Sequence, residues 1–124
     1  MQQACQDPVQ LFGLRIAHIG VNAADDAEAA SIAEAFSQLM GLPQIETPVS
    51  VFSGTLVETM RGCGRGERGH IGFHVDDIPA AEAWFAARGF AIDEESRALL
   101  PDGSTRLVYF KEPIAGFAIH LTQD

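Results

Sequence analysis

Positive charge is scarce in this sequence. Eight lysines and arginines face 17 aspartates and glutamates, a formal net charge of −9 at pH 7. That balance argues against nucleic acid as a partner, because neutralising phosphates needs a basic face. Cysteine is scarcer still. Cys5 and Cys63 are too few and too unpatterned for a disulfide framework, and a reduced, cytoplasmic protein is the default expectation. No apolar run reaches the length that spans a bilayer, and no charged-then-apolar leader opens the chain, so no membrane partner is expected. The glycine-rich stretch Arg61-Gly62-Cys63-Gly64-Arg65-Gly66-Glu67-Arg68-Gly69 lacks the Gly-Lys-Ser/Thr ending of a phosphate-binding loop, which leaves nucleotide binding without support. Cys63 has no identifiable base beside it, which argues against a nucleophile.

What is present suffices for one packed domain: 124 residues, 47% of them hydrophobic. The most informative stretch is Gly69-His70-Ile71-Gly72-Phe73-His74-Val75-Asp76-Asp77. Ile71, Phe73 and Val75 alternate with His70, Gly72 and His74, the period of a strand with one apolar and one polar face. Ala17-His18-Ile19-Gly20-Val21-Asn22 repeats the phrase earlier in the chain. Around each copy the same order follows. A strand over 15–22 leads to a helix capped at Ala24-Asp25-Asp26, with Ile32, Phe36, Leu39 and Met40 at helical spacing and Gly41 at its end. Short strands are expected at 44–46, 50–53 and 55–60. After the glycine-rich linker, a strand over 70–75 leads to a helix behind Asp77. Pro79 lies in its first turn, Gly89 just past its end, and Ala81, Trp84, Phe85 and Arg88 form its inner stripe. Strands at 90–94, 97–100, 105–110 and 117–122 complete the pattern, with a turn at Pro101-Asp102-Gly103-Ser104. The expected fold class is α+β, two tandem βαβββ modules over about 15–60 and 69–123. Residues 1–14 form an N-terminal arm that either packs on the domain or frays.

A tandem strand–helix–three-strand repeat opened in its second half by Gly-His-Ile-Gly resembles the vicinal oxygen chelate superfamily, which holds glyoxalase I, extradiol dioxygenases, methylmalonyl-CoA epimerase and the fosfomycin and bleomycin resistance proteins. The stretches 17–22 and 116–121 also resemble the small domain appended to some keto-deoxy-phosphogluconate aldolases. The superfamily resemblance implies two curled sheets forming a cleft around one metal ion. It implies ligands on the first and last strand of each module. Here those positions are His18, Glu58, His70 and His120. Strand parity agrees for the last strand: Phe117, Ile119 and Leu121 share one face, which leaves His120 on the other with Ala118 and Thr122. Imidazole and carboxylate donors suit a divalent Zn, Ni, Fe, Co or Mn ion. The resemblance also implies a homodimer as the usual state of so short a chain.

Further candidates surround that set. His74 and Asn22 share faces with His70 and His18 and are expected to contact a small-molecule ligand, although a plain cleft-lining role serves His74 equally well. Arg61, Arg65 and Arg68 could clamp a carboxylate or phosphate, or simply keep a solvated loop soluble. Trp84 is expected in the core.

Two functional classes compete. One is a metal-dependent, glyoxalase-like lyase or isomerase acting on a small oxygenated, anionic substrate, with Glu58 or a metal-bound water moving the proton. The other is a non-catalytic protein that sequesters a small molecule, as bleomycin-resistance relatives do. One departure bears on both. The superfamily's enzymes generally carry Glu at the position of His120, and Glu58 is the only carboxylate in the set. Little lactoylglutathione-forming activity and no aromatic ring cleavage are therefore expected.

Overall fold

A computed structural model describes residues 7–124. The start of the expected arm, including Cys5, lies outside the described residues. The rest of the arm is helix α1 (Pro8–Phe12). Asp7 caps it by accepting from the Gln10 N–H, Pro8 opens it, and Gly13 ends it at φ 62°. Phe12 inserts its ring edge-on against Trp84, with centroids 6.4 Å apart.

The first module runs β1 (Arg15–Asn22), α2 (Asp26–Met40), β2 (Gln44–Glu46), β3 (Ser50–Ser53) and β4 (Val57–Met60). The second runs β5 (Gly69–His74), α3 (Ile78–Ala86), β6 (Ile92–Leu99), β7 (Thr105–Phe110) and β8 (Phe117–Thr122). All eight strands form one curved open sheet in the order β2-β3-β4-β1-β5-β8-β7-β6. The modules pair within one chain, through antiparallel β1 and β5. Outward from that central pair each half repeats the same sequence of strands. The structure therefore has the expected α+β, twice-repeated βαβββ architecture.

Two strand boundaries differ in kind from expectation. The strand expected from residue 55 begins at Val57, because Gly54 at φ 60° turns the chain and Leu56 closes that turn onto Ser53. The two strands expected at 90–94 and 97–100 are one strand, β6, with a register irregularity between Asp93 and Ala98. At that irregularity the Ser96 hydroxyl accepts from the Tyr109 N–H at 2.7 Å, in place of a ladder bond. Two helix stripes also differ. Leu39 is 79% exposed, and α2 packs instead through fully buried Ala29 and Ala33, whose small side chains let the helix approach the sheet. Arg88 is exposed, its guanidinium 3.5 Å from the centre of the Trp84 ring.

The main core lies under α3. Phe12, Val75, Ile78, Ala81, Val108 and Leu121 are buried there, with Trp84 and Phe85 packed against them. The other face of the sheet is left free to be polar. No helix among the described residues is long and apolar enough to cross a membrane.

Candidate metal centre

The duplicated His-Ile-Gly phrase meets itself at the centre of the sheet. Antiparallel pairing of β1 and β5 sets His18 opposite Gly72 and Gly20 opposite His70. Each imidazole thus lies across a residue with no side chain. A Cβ at Gly20 would collide with the His70 ring. A Cβ at Gly72 would stand 2.6 Å from His120 Cε1 and 2.8 Å from His18 Cε1. The outer strands add one group each, at equivalent registers. Glu58 of β4 pairs with Gly20, and His120 of β8 pairs with Gly72.

Four donor groups converge as a result. His18 Nε2 lies 3.3 Å from His70 Nε2 and 3.3 Å from His120 Nε2. Glu58 Oε1 lies 3.1 Å from His70 Nε2 and 3.6 Å from His18 Nε2. A neutral imidazole nitrogen offers either one proton or one lone pair, so His18 Nε2 cannot satisfy three such neighbours by hydrogen bonding. Donors held ~2.1 Å from one tetrahedral ion stand about 3.4 Å from each other. The four observed edges bracket that value, so His18, His70 and His120, with Glu58 beside the first two, suit a small cation. Three buried histidines, His18, His70 and His120, are close enough to hold a metal ion.

The electrostatics leave the donors ready. Burial, then the neighbouring His18 and His70, push His120 down to about 3. Burial and His70 also lower His18, against the opposing pull of Glu58 and Asp124. Burial works to raise Glu58, but hydrogen bonds from His70 and Ser50 and the nearby imidazoles outweigh it and hold the carboxyl below its usual range. At neutral pH His18 and His120 therefore carry free lone pairs and Glu58 a negative charge. Burial raises the Tyr109 phenol to about 12, with Arg65 opposing and Glu58 reinforcing, so it keeps its proton.

These groups line a cleft of about 510 Å³, walled by Phe52, Met60, Leu107 and Tyr109. A second chamber of about 440 Å³ opens beyond His18 and Phe52 toward Arg15 and Ile45. Of the three loop arginines, only Arg65 lines the cleft. It lies 4.4 Å from the Tyr109 ring centre and 3.5 Å from Asp93. Arg61 binds the Thr47 carbonyl and Glu46, and Arg68 packs along Gly116. Asn22 donates to the Gly66 carbonyl at 2.8 Å, tying the glycine-rich loop to β1. His74 does not line the cleft, and both its ring nitrogens are engaged, by Asp76 and by the main-chain oxygen of Asp124. Cys63 is exposed at the rim. Sequence reasoning missed Tyr109 and Ser50. Tyr109 shares a face with Leu107 and pairs with His120, which β7's alternation could have disclosed. Ser50 and Thr47 flank Pro48-Val49, a turn signal whose hydroxyls were available.

Among known proteins, no family profile and no curated sequence matches this chain. Solved structures do. A hypothetical protein of Bacillus halodurans superposes with a TM-score of 0.59 at 13% identity, covering 88% of this chain and 93% of its own. A methylmalonyl-CoA epimerase superposes with a TM-score of 0.56 at 19% identity, covering 86% of this chain and 92% of its own. At these identities the likeness is one of fold. With its curved eight-stranded sheet and paired βαβββ modules, the chain has the glyoxalase/bleomycin resistance fold.

Proposed function

We propose that this chain binds one divalent metal ion, Zn, Ni, Fe, Co or Mn, through His18, Glu58, His70 and His120. On this reading it acts as a glyoxalase-like lyase or isomerase on a small oxygenated anion. The observation that supports the reading is the clustering of three buried imidazoles in the cleft, with Glu58 Oε1 3.1 Å from His70 and 3.6 Å from His18. A divalent ion there would supply Lewis-acid polarisation of neighbouring substrate oxygens. Three neutral imidazoles and one carboxylate leave the loaded centre one unit positive, which favours an anionic oxygen ligand. Arg65, stacked on Tyr109, adds a second positive element at the rim. Tyr109 holds its proton and can donate a hydrogen bond to a bound anion. Phe52 and Leu107 add apolar surface to the lining.

A second reading, non-catalytic capture of a small anion, is favoured by one detail. Glu58 already accepts from Ser50 at 2.7 Å and lies 3.1 Å from His70, and with its carboxyl held below the usual range it is a weak base for a substrate proton.

Metal analysis of protein purified without chelators or a metal-affinity tag tests the shared core of both. We expect about one equivalent per chain, and a sharp loss of uptake in His18→Ala, His70→Ala and His120→Ala. Wild-type protein that takes up none of the five ions, with small-molecule binding indifferent to all three substitutions, would overturn the metal-centred reading. Lactoylglutathione formation and ring cleavage, assayed with each ion in turn, should both be weak or absent.

A further inference from the structure

Metal-binding imidazoles ordinarily donate their second N–H to a carbonyl or carboxylate, which fixes the ring. That support is thin here. His70 Nδ1 is buried without a partner, and His120 Nδ1 reaches only the Leu121 carbonyl at 3.4 Å. Glycine shelves set these rings instead. The support is concentrated on Glu58.

Thr47 lies in the turn between β2 and β3. Its hydroxyl accepts from the Ser50 N–H at 2.9 Å and the Val49 N–H at 3.2 Å. Those two bonds occupy both lone pairs, so its own hydrogen must be donated. The nearer recipient is Ser50 Oγ at 2.7 Å, against 3.3 Å to the Ser50 carbonyl. Ser50 Oγ then donates to Glu58 Oε2, also at 2.7 Å. An ionised carboxylate only accepts, so the chain runs in one direction: backbone N–H, Thr47, Ser50, Glu58. Ser50 is fully buried, so water does not compete for its hydroxyl. Arg61 pins the turn from outside through the Thr47 carbonyl at 3.0 Å and Glu46 at 2.8 Å.

We infer that Thr47 and Ser50 are positioning residues for the centre: their one-way relay holds Oε2 and leaves Glu58 a single oxygen, Oε1, to offer a bound ion. The inference rests on the metal-centre reading above. It assigns Arg61, the arginine farthest in role from a substrate clamp, to bracing the turn that carries the relay.

Two independent readouts test it. The first is Co(II) titrated into metal-free protein and followed by its visible absorption. Ser50→Ala and Thr47→Val should each weaken Co(II) binding by about 10–100-fold and change the absorption band, as loss of a ligand's orienting partner does. Thr47→Ser keeps the hydroxyl and should keep both. Ser50→Ala or Thr47→Val with wild-type affinity and spectrum would overturn the relay. The second readout uses no metal: NMR of the Glu58 side chain in metal-free protein. A single rotamer is expected in the wild type and rotamer averaging in Ser50→Ala, with Thr47→Val and Thr47→Ser as the second pair should Ser50→Ala not fold. A Glu58 equally fixed in wild type, Ser50→Ala and Thr47→Val would also overturn the relay. Failure of wild-type protein to take up Co(II) would defeat the metal-centre reading alone, because the metal-free measurement still decides the relay.

Discussion

Gly20 and Gly72 work by absence. Each gives up a side chain so that an imidazole from the neighbouring strand can lie flat across it. Gly72→Ala would put a methyl against His18 and His120 together, so both rings must move. We expect metal uptake to be lost and stability to fall by about 1–3 kcal/mol, the usual cost of overpacking. Gly20→Ala should displace His70 with the same result. Isothermal titration with Zn(II) and urea denaturation of each variant check this, and uptake equal to wild type would refute it. His120 makes a separate prediction. It is 1% exposed and lowered to about 3, so in metal-free protein the unfolded chain binds its proton first as pH falls below 6.5. The unfolded state thus holds more protons throughout that window, and stability must decline as pH drops from about 6.5 toward 3, by up to about 1.4 kcal/mol per pH unit. His18 and Glu58, both lowered, act in the same direction. Urea midpoints of metal-free protein should therefore be flat above pH 7 and fall already between pH 6.5 and 5. A flat profile down to pH 5 would refute it, and His120→Gln should lessen the early decline.

Short elements hold the second module together from its edges. Helix α1 is only five residues long, yet Phe12 is buried in the core under α3, and its carbonyl accepts from the Asp76 N–H at 2.8 Å. Phe12→Ala should cost about 3 kcal/mol, the lower end for a buried phenylalanine, measured by denaturant unfolding. A loss under 1 kcal/mol would mean that α1 is only draped on the surface. This helix also marks where the sequence stopped being legible. Strands β1, β5 and β8 could be read because each has one face against a core and one against a polar cleft, so their letters alternate. The same alternation turned His120 toward the cleft before any coordinates. Five residues are too few for helical periodicity, and α1 carries only local punctuation, Asp7, Pro8 and Gly13, while its docking depends on Trp84, far along the chain. In β6 the run Asp93-Glu94-Glu95-Ser96 breaks the alternation, and what carries the strand across is a side-chain bond from Ser96 to β7. The Thr47–Ser50 relay was hidden for a related reason. Which hydroxyl meets which carboxylate is decided by the β2–β3 turn and the pairing of Phe52 with Glu58, neither of which is a property of a local window.

Across the whole molecule, the strand order outward from β1 and β5 is the same in both halves, and Ile19 pairs with Ile71 near the midpoint of the repeat. An approximate two-fold axis therefore runs between the central strands, and the donor set straddles it. His18 is related to His70, and Glu58 is related to His120 through their glycine partners. The first pair obeys the symmetry and the second breaks it. One end of the cup is an anchored anion. The other is a neutral ring, with Tyr109 against it and Arg65 above. A perfectly symmetric cup would accept a two-ended guest in either sense. This one has a compass bearing: an anionic end would be turned away from Glu58 and toward His120 and Arg65, so a guest with two unlike ends would enter in one sense only.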